Sequence, residues 1–333
     1  MKALVTGGGG FLGGVIVRRL LARGNAVRSF ARGEYPELTA IGVEVCRGDL
    51  ADAEAVARTA EGCDVVFHAA AKAGVWGPYE AYYKTNVLGT ANVIAACREH
   101  GVRRLVHTSS PSVVFDGRDQ EGVDESAPYP ARFLAHYPRT KARAEQMVLE
   151  ANGPQLATVA LRPHLIWGPG DPHLVPRLLA QGRAGKLRAL GTRPNLVDSV
   201  YVDNAADAHL LAADRLRPGS PIAGKVYFIS NDEPLPVVEL MNRILATAGI
   251  PPITRRVPPA AAYVVGGLLE AVYYLLGLPG EPRMTRFVAR QLATAHWFDV
   301  SAAKRDLGYR PAVSIEEGME RLARAIQRDS ARP

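Results

Sequence analysis

MKALVTGGGGFLGG (residues 1–14) sets a short apolar run directly against four consecutive glycines. Ala3-Leu4-Val5 reads as a fully buried strand, and Val15–Ala22 reads as an apolar helix that ends near Gly24. The glycines therefore occupy a strand-to-helix turn. Gly7, Gly10 and Gly13 follow G-x-x-G-x-x-G spacing, in which missing side chains permit a tight turn, close backbone approach to a pyrophosphate and close helix packing. Phe11 and Leu12 lie among these glycines as further candidate cofactor contacts, and the N-terminus of the helix that follows faces an anion. A purely structural turn uses the same residues, so the rest of the chain must decide.

Strand and helix patterns alternate through the first half of the chain. Ala3–Thr6, Ala26–Phe30, Glu44–Arg47, Val65–His68, Arg104–Thr108 and Thr158–Leu161 read as strands, with helices to Arg23, near Ala53–Ala60, around Tyr82–Glu99 and from Pro138 to Asn152. This predicts an α/β protein, a Rossmann-type doubly wound parallel sheet with ligands at the strands' carboxyl ends. From Trp167 the pattern loosens into Gly/Pro-rich segments and short helices, with a late strand at Lys225–Ile229. The expected division is a nucleotide-binding domain over 1–165 and 196–230, and a smaller, mainly helical substrate cap over 166–195 and 231–333.

The chain has 333 residues and a formal charge of +7, yet its basic residues are scattered singly, which argues against a nucleic-acid partner. Cys46, Cys63 and Cys97 are isolated, with no C-x-x-C pair, so neither a metal site nor a structural disulfide is expected. No secretory signal precedes the first strand, and a cytoplasmic location is the expectation. Tyr263–Leu278 is the longest apolar stretch; it is short for a membrane span and contains Glu270. It reads as a core helix of the cap, as a greasy wall for a long-chain substrate, or as a shallow, peripheral membrane contact.

At the end of the second strand, NAD binding calls for a carboxylate on the ribose hydroxyls. The chain has Ala31 followed by Arg32, and a guanidinium there pairs with a 2′-phosphate, so NADP(H) is the expected cofactor. Asp49 and Leu50 follow the third strand, where Asp49 either accepts from the adenine amino group or caps the next helix. Ala69 and Ala70 follow the fourth, small enough to lie against a ribose or phosphate.

Tyr137-Pro138-Arg139-Thr140-Lys141 carries the chemistry. Pro138 fits only a first helical turn, which puts Tyr137 at a helix start and Lys141 on the same face, four residues on. A neighbouring ammonium favours the phenolate and turns Tyr137 into a tunable acid/base. Thr108, Ser109 and Ser110 end the preceding strand, where a hydroxyl can hold a carbonyl oxygen while the phenol donates its proton.

With T-G-x-x-G-x-x-G at Thr6–Gly13, GDL at Gly48–Leu50, HAAA at His68–Ala71, YKTNVLGT at Tyr83–Thr90, YPRTK, LRPHLIWGPGD at Leu161–Asp171 and VYVDNAADA at Val200–Ala208, nearly the whole chain resembles the extended short-chain dehydrogenases/reductases. Asn195-Leu196-Val197-Asp198 before the YVDN strand resembles the 3β-hydroxysteroid dehydrogenase branch rather than the nucleotide-sugar epimerases. TSSPSV, YFISNDEPLP and RPAVSIEEGMERL are similar to the β-keto acid reductases of bacterial long-chain olefin biosynthesis. The resemblance implies that Tyr137 exchanges the proton, Lys141 lowers its pKa and holds the nicotinamide ribose, Ser110 positions the substrate oxygen, Asn86 supports a water relay to Lys141, and Pro163 contacts the cofactor. It implies NADPH-dependent reduction of a 2-alkyl-3-oxoalkanoic acid, a substrate with two long alkyl arms. It also implies a homodimer through the helices at Tyr82–Glu99 and Pro138–Asn152, and assembly with a β-lactone synthetase and a β-lactone decarboxylase. A cation should hold the substrate carboxylate; Arg162 and His164 lie just after a strand end, where either serves that role or a structural one, and the site is left unassigned. A bulky secondary-alcohol or 3β-hydroxysteroid dehydrogenase, a nucleotide-sugar epimerase and a non-catalytic NADP(H) sensor are the competing readings.

Overall fold

In the computed structural model, which describes residues 1–330, seven strands form one parallel sheet: β1 (Lys2–Thr6), β2 (Ala26–Ala31), β3 (Glu44–Arg47), β4 (Val65–His68), β5 (Arg104–Thr108), β6 (Ala157–Pro163) and β7 (Lys225–Ile229). Their order across the sheet is 7-6-5-4-1-2-3. The order reverses between β1 and β4, which opens a crevice at their carboxyl ends. Every residue of β4 and β6 is buried, as continuous apolar runs covered on both faces should be.

The period-2 alternation of β1 sorts the two faces. Ala3 and Val5 pack with Leu12, Ile16 and Val17 of α1 (Phe11–Ala22), whereas Leu4 packs with Val56 of α2 (Ala53–Ala60) and Val93 of α3 (Gly89–Glu99). Helix α4 (His136–Glu150) covers the same face as α2 and α3. Ahead of α3, the turn Tyr79–Tyr82 runs through a π-helical turn, Tyr83–Leu88, and so the helix expected from Tyr82 is longer and irregular. Such turns collect at functional positions, and this one carries Asn86.

The cap is built from α5 (Leu174–Arg183), then, beyond α6 (Val202–Arg215), from α7 (Val237–Ala246), α8 (Pro259–Leu276) and α9 (Arg286–Ala293). A small mixed sheet of strands two to four residues long, among them Gln120–Val123 and His296–Phe298, joins cap to sheet. From Val300 the chain returns to the nucleotide-binding body: Tyr309 Oη donates to the Ser230 carbonyl (2.9 Å), Asn204 Nδ2 to the Val313 carbonyl (2.7 Å), and α10 (Ile315–Ser330) pairs Arg321 with Asp203 of α6.

Candidate active site

The glycine turn is drawn tight by Gly7 N–H donating to the Phe30 carbonyl and Gly10 N–H to the Gly7 carbonyl, both at 2.8 Å. Gly7 has φ +71°, and a Cβ on Gly13 would lie 2.1 Å from the Gly7 carbonyl oxygen, so only glycine closes this turn. Around it lies a cleft of about 460 Å³ lined by the turn and by residues of the expected set: Arg32, Asp49, Leu50, Ala69 and Ala70 join Gly7, Gly10, Phe11, Leu12 and Gly13. This cradle of bare backbone at a helix N-terminus fits a dinucleotide pyrophosphate.

Arg32 is exposed, and its side chain has no protein partner among the described residues. Asp49 does not cap α2, because Asp52 does so by accepting from Ala55 N–H at 3.0 Å; Asp49 closes its own turn on Ala51 N–H and lines the cleft. Pro163 is buried at the end of β6, paired with Ile229, and is not part of the cleft wall. Tyr35, Pro172 and His173 are further wall residues that sequence reasoning missed. Tyr35 packs so closely over Gly9 that a Cβ there would fall 2.2 Å from its ring.

A hydrogen-bond chain joins the cleft to α3. Ala70 N–H donates to Thr6 Oγ1, Thr6 to His68 Nδ1 (2.8 Å), His68 Nε2 to Thr90 Oγ1 (2.9 Å), and Thr90 to the Asn86 carbonyl (2.6 Å). The direction follows from Thr90 donating to a carbonyl, which leaves its oxygen to accept. Asn86 itself is buried and holds both sides of the site: Oδ1 accepts from Lys72 N–H at 2.7 Å, and Nδ2 donates to Thr140 Oγ1 at 3.0 Å. Its side chain thus braces the loop after β4 against α4, with its hydrogen bonds going to Lys72 and Thr140.

Pro138 falls in the first turn of α4, as its missing N–H demands, and Tyr137 and Lys141 share one helix face. Of the three hydroxyls ending β5, Thr108 is bound to His209 Nε2 (2.8 Å) and Ser109 is buried without a partner. Ser110 starts a 3₁₀ turn, Pro111–Val114, accepting from Ser112 N–H at 3.2 Å, and is the hydroxyl that meets Tyr137. Burial raises the Tyr137 pKa and the Ser110 hydrogen bond opposes that rise. The expected lowering by Lys141 is absent in this arrangement, because the ammonium turns inward: Nζ donates to the Thr108 carbonyl at 2.6 Å and lies 3.3 Å from His107 Nε2. Burial pulls Lys141 down to about 8, with the Glu145 carboxylate pulling the other way.

His107 was not legible as a site residue. It is fully buried and neutral, its pKa pushed well below 6.5 by burial first and by Lys141 next; its Nδ1 has no partner. His68 lies 5.2 Å away, ring to ring, and is pushed down to about 3; His209 is pushed down to about 4, both mainly by burial.

Both carboxylate candidates already hold a protein carboxylate, although Arg162 Nη1 is buried without a partner among the described residues. Arg162 is buried and makes a two-point pair with Glu145, at 2.6 and 2.9 Å, and Tyr129 Oη donates to the same carboxylate at 2.6 Å. His164 Nδ1 is paired with Asp198 at 2.5 Å. A second cavity, about 630 Å³, opens between Tyr79, Ala135 and His136, the last two just before Tyr137 in the chain, on one wall and Tyr273, Tyr274 and Phe287 of α8 and α9 on the other; Tyr137 itself is not part of its lining.

The model of the 3-beta hydroxysteroid dehydrogenase/isomerase family matches residues 4–257. The chain belongs to that family. Within it, the chain is 55% identical over 97% of its length to a 2-alkyl-3-oxoalkanoate reductase of Shewanella oneidensis (86% of which is covered), and 54% identical over 97% to one of Stenotrophomonas maltophilia (98% covered). It is 36% identical over 98% of its length to the decarboxylating sterol-4-alpha-carboxylate 3-dehydrogenase of Mus musculus, 91% of which is covered. Among solved structures, MoeE5 in complex with UDP-glucose and NAD superposes with a TM-score of 0.76 and 26% identity, over 99% of this chain and 100% of that one. This member of the extended short-chain dehydrogenases/reductases is an oxidoreductase that uses a nicotinamide cofactor.

Proposed function

We propose that the protein reduces the ketone of a 2-alkyl-3-oxoalkanoic acid with NADPH, giving the 2-alkyl-3-hydroxyalkanoic acid, within long-chain olefin biosynthesis. The observation that carries this reading is the pair of bacterial relatives above 50% identity across 97% of the chain. The cavity next to His136, with aromatic and apolar walls from Tyr79, Tyr82, Tyr273 and Phe287, supports it, since a substrate with alkyl arms needs such walls. Arg32, exposed at the edge of the cleft where an NAD enzyme places a carboxylate, supports NADPH over NADH.

When bound, the cofactor supplies the hydride to the keto carbon. The protein's own residues manage the oxygen. The Ser110 hydroxyl donates a hydrogen bond to the carbonyl oxygen and orients it toward Tyr137. As the carbonyl π bond breaks, the Tyr137 phenol gives its proton to the developing alkoxide, and the phenolate left behind is stabilised by Lys141 once the lysine's ammonium turns outward. One hydride and one proton convert the ketone to a secondary alcohol. A raised phenol pKa in the resting enzyme keeps Tyr137 protonated, as a donor must be. The β-hydroxy acid product is the substrate class of a β-lactone synthetase, whose assembly with this enzyme is part of the proposal.

The test runs the reaction backwards, from NADP⁺ and a synthetic 2-alkyl-3-hydroxy long-chain acid, with NAD⁺ and a 3β-hydroxysteroid as parallel arms. NADP⁺-dependent turnover of the acid supports the reading. Turnover of the steroid alone moves the substrate toward the sterol relatives, and cofactor binding without any turnover favours a sensor.

A further inference from the structure

We infer that helix α8 docks the enzyme on an anionic lipid surface, lying along it rather than crossing it. Of the large apolar side chains exposed on this protein, eight fall between Val264 and Leu278, with Leu268 at 63%, Leu275 at 78% and Tyr274 at 81% exposure. Only 11% of α8 is buried, so it is no core helix, although its mean hydropathy of 1.4 is that of one. At 3.6 residues per turn, Val264, Leu268, Val272, Leu275, Val265 and Leu276 fall within about 120° of the helix circumference, and Tyr274 widens the strip to about 200°, with Leu278 following beyond the Gly277 cap. The buried positions, Ala262 and Gly266, lie opposite its centre. Gly266 lets the helix approach α9 so closely that a Cβ would sit 2.8 Å from the Thr285 carbonyl carbon. The result is a half-cylinder of apolar side chains fixed to the body along its other side.

A crossing orientation does not fit. Eighteen residues rise about 27 Å, short of a hydrocarbon core of about 30 Å, and α8 is pinned lengthwise to α9, where Arg286 Nε donates to Glu270 at 2.6 Å. The flanking charge selects the occupant. Between Arg255 and Arg290 there are five arginines, all exposed, against two glutamates, and both glutamates are paired, Glu270 with Arg286 and Glu281 with Arg177. A two-fold contact with a second copy would bring this arginine-rich rim against itself, whereas anionic headgroups complement it while acyl chains receive the strip. Tyrosines such as Tyr274 suit the headgroup boundary.

The docked helix also has a consequence for substrate entry. The cavity lined by Ala135 and His136 meets α8 at Tyr273 and Tyr274, and a separate apolar cavity of about 680 Å³ meets its other side at Val265 and Leu269. Both then open beside the acyl phase, where a molecule with alkyl arms resides. Surface contact of this kind does not depend on which ketone or alcohol the enzyme turns over.

The experiment is flotation of the full chain with vesicles of phosphatidylcholine alone or with 40% phosphatidylglycerol. Expected is at least tenfold more bound protein on the anionic vesicles, reduced by high salt. The Leu268→Glu/Leu275→Glu variant should lose that binding at least tenfold, with NADPH binding and thermal midpoint unchanged because both side chains are exposed. Arg255→Gln/Arg256→Gln should lose only the anionic preference. Failure of the wild-type protein to float overturns the inference. So does a dimer in light scattering that the double glutamate variant dissociates, since a second copy then covers the strip.

Discussion

Replacing His107 with leucine removes one of two acceptors that face the Lys141 ammonium, leaving the Thr108 carbonyl at 2.6 Å. The other titratable groups around Lys141 are Glu145 and Tyr137 on its own helix, with His68 and His209 beyond His107, both neutral near pH 7. A hydrogen bond from a charged donor contributes about 1.5–3 kcal/mol, and one pKa unit corresponds to about 1.4 kcal/mol. Lys141 should therefore fall from about 8 by about one to two units in the variant. Lysine is charged below its pKa, so the charged fraction is lost at lower pH, and the alkaline limb of kcat/KM moves acidward by the same one to two units. At pH 7.5 the loss is roughly three- to twenty-five-fold from protonation alone. The assay is the pH profile of ketone reduction, with His107→Gln as the control that restores an acceptor and most of the limb. A leucine variant with a lower thermal midpoint and an unmoved limb would refute the reasoning and leave His107 a packing residue.

Other expectations follow from the same geometry. Glu145→Gln leaves the Arg162 guanidinium buried without its counter-charge, which costs about 3–5 kcal/mol, so the melting temperature should fall by several degrees while the KM for cofactor changes little. Arg32→Ala should raise the KM for NADPH about tenfold or more and leave that for NADH near wild type, measured by steady-state kinetics with both cofactors. His68, His209 and His296 have folded pKa values pushed down to about 3, 4 and 4, so below pH 6.5 the unfolded chain binds protons the native state refuses. Stability should therefore fall with acidity from about pH 6.5 toward 4, by up to about 1.4 kcal/mol per pH unit for each histidine, as read from melting temperature against pH.

The parallel sheet was legible because each strand is a buried apolar run bracketed by glycine or polar turns, and the glycine turn because its spacing has a steric reason that Gly13 makes explicit. Tyr137 and Lys141 were legible because Pro138 fixes the helix start. The histidine network was not. His68 and His107 are single polar residues ending or interrupting apolar strands, with no periodic mark, and their partners Thr6, Thr90 and Lys141 come from other elements. Arg162 looked available because its neutralising carboxylate, Glu145, lies on a helix seventeen residues earlier. The cap strands are too short to show alternation, and Tyr263–Leu278, apolar nearly all round, tells of an apolar surrounding without saying whether protein or lipid provides it.

The most direct test of the central claim, that Tyr137 delivers the proton that completes ketone reduction, is single-turnover oxidation of NADPH by wild-type enzyme and Tyr137→Phe with the same 2-alkyl-3-oxo acid. The account predicts a rate at least 10²-fold lower in the variant, with NADPH affinity, followed by cofactor fluorescence, within twofold of wild type. A phenylalanine variant that reduces the ketone at the wild-type rate would contradict it.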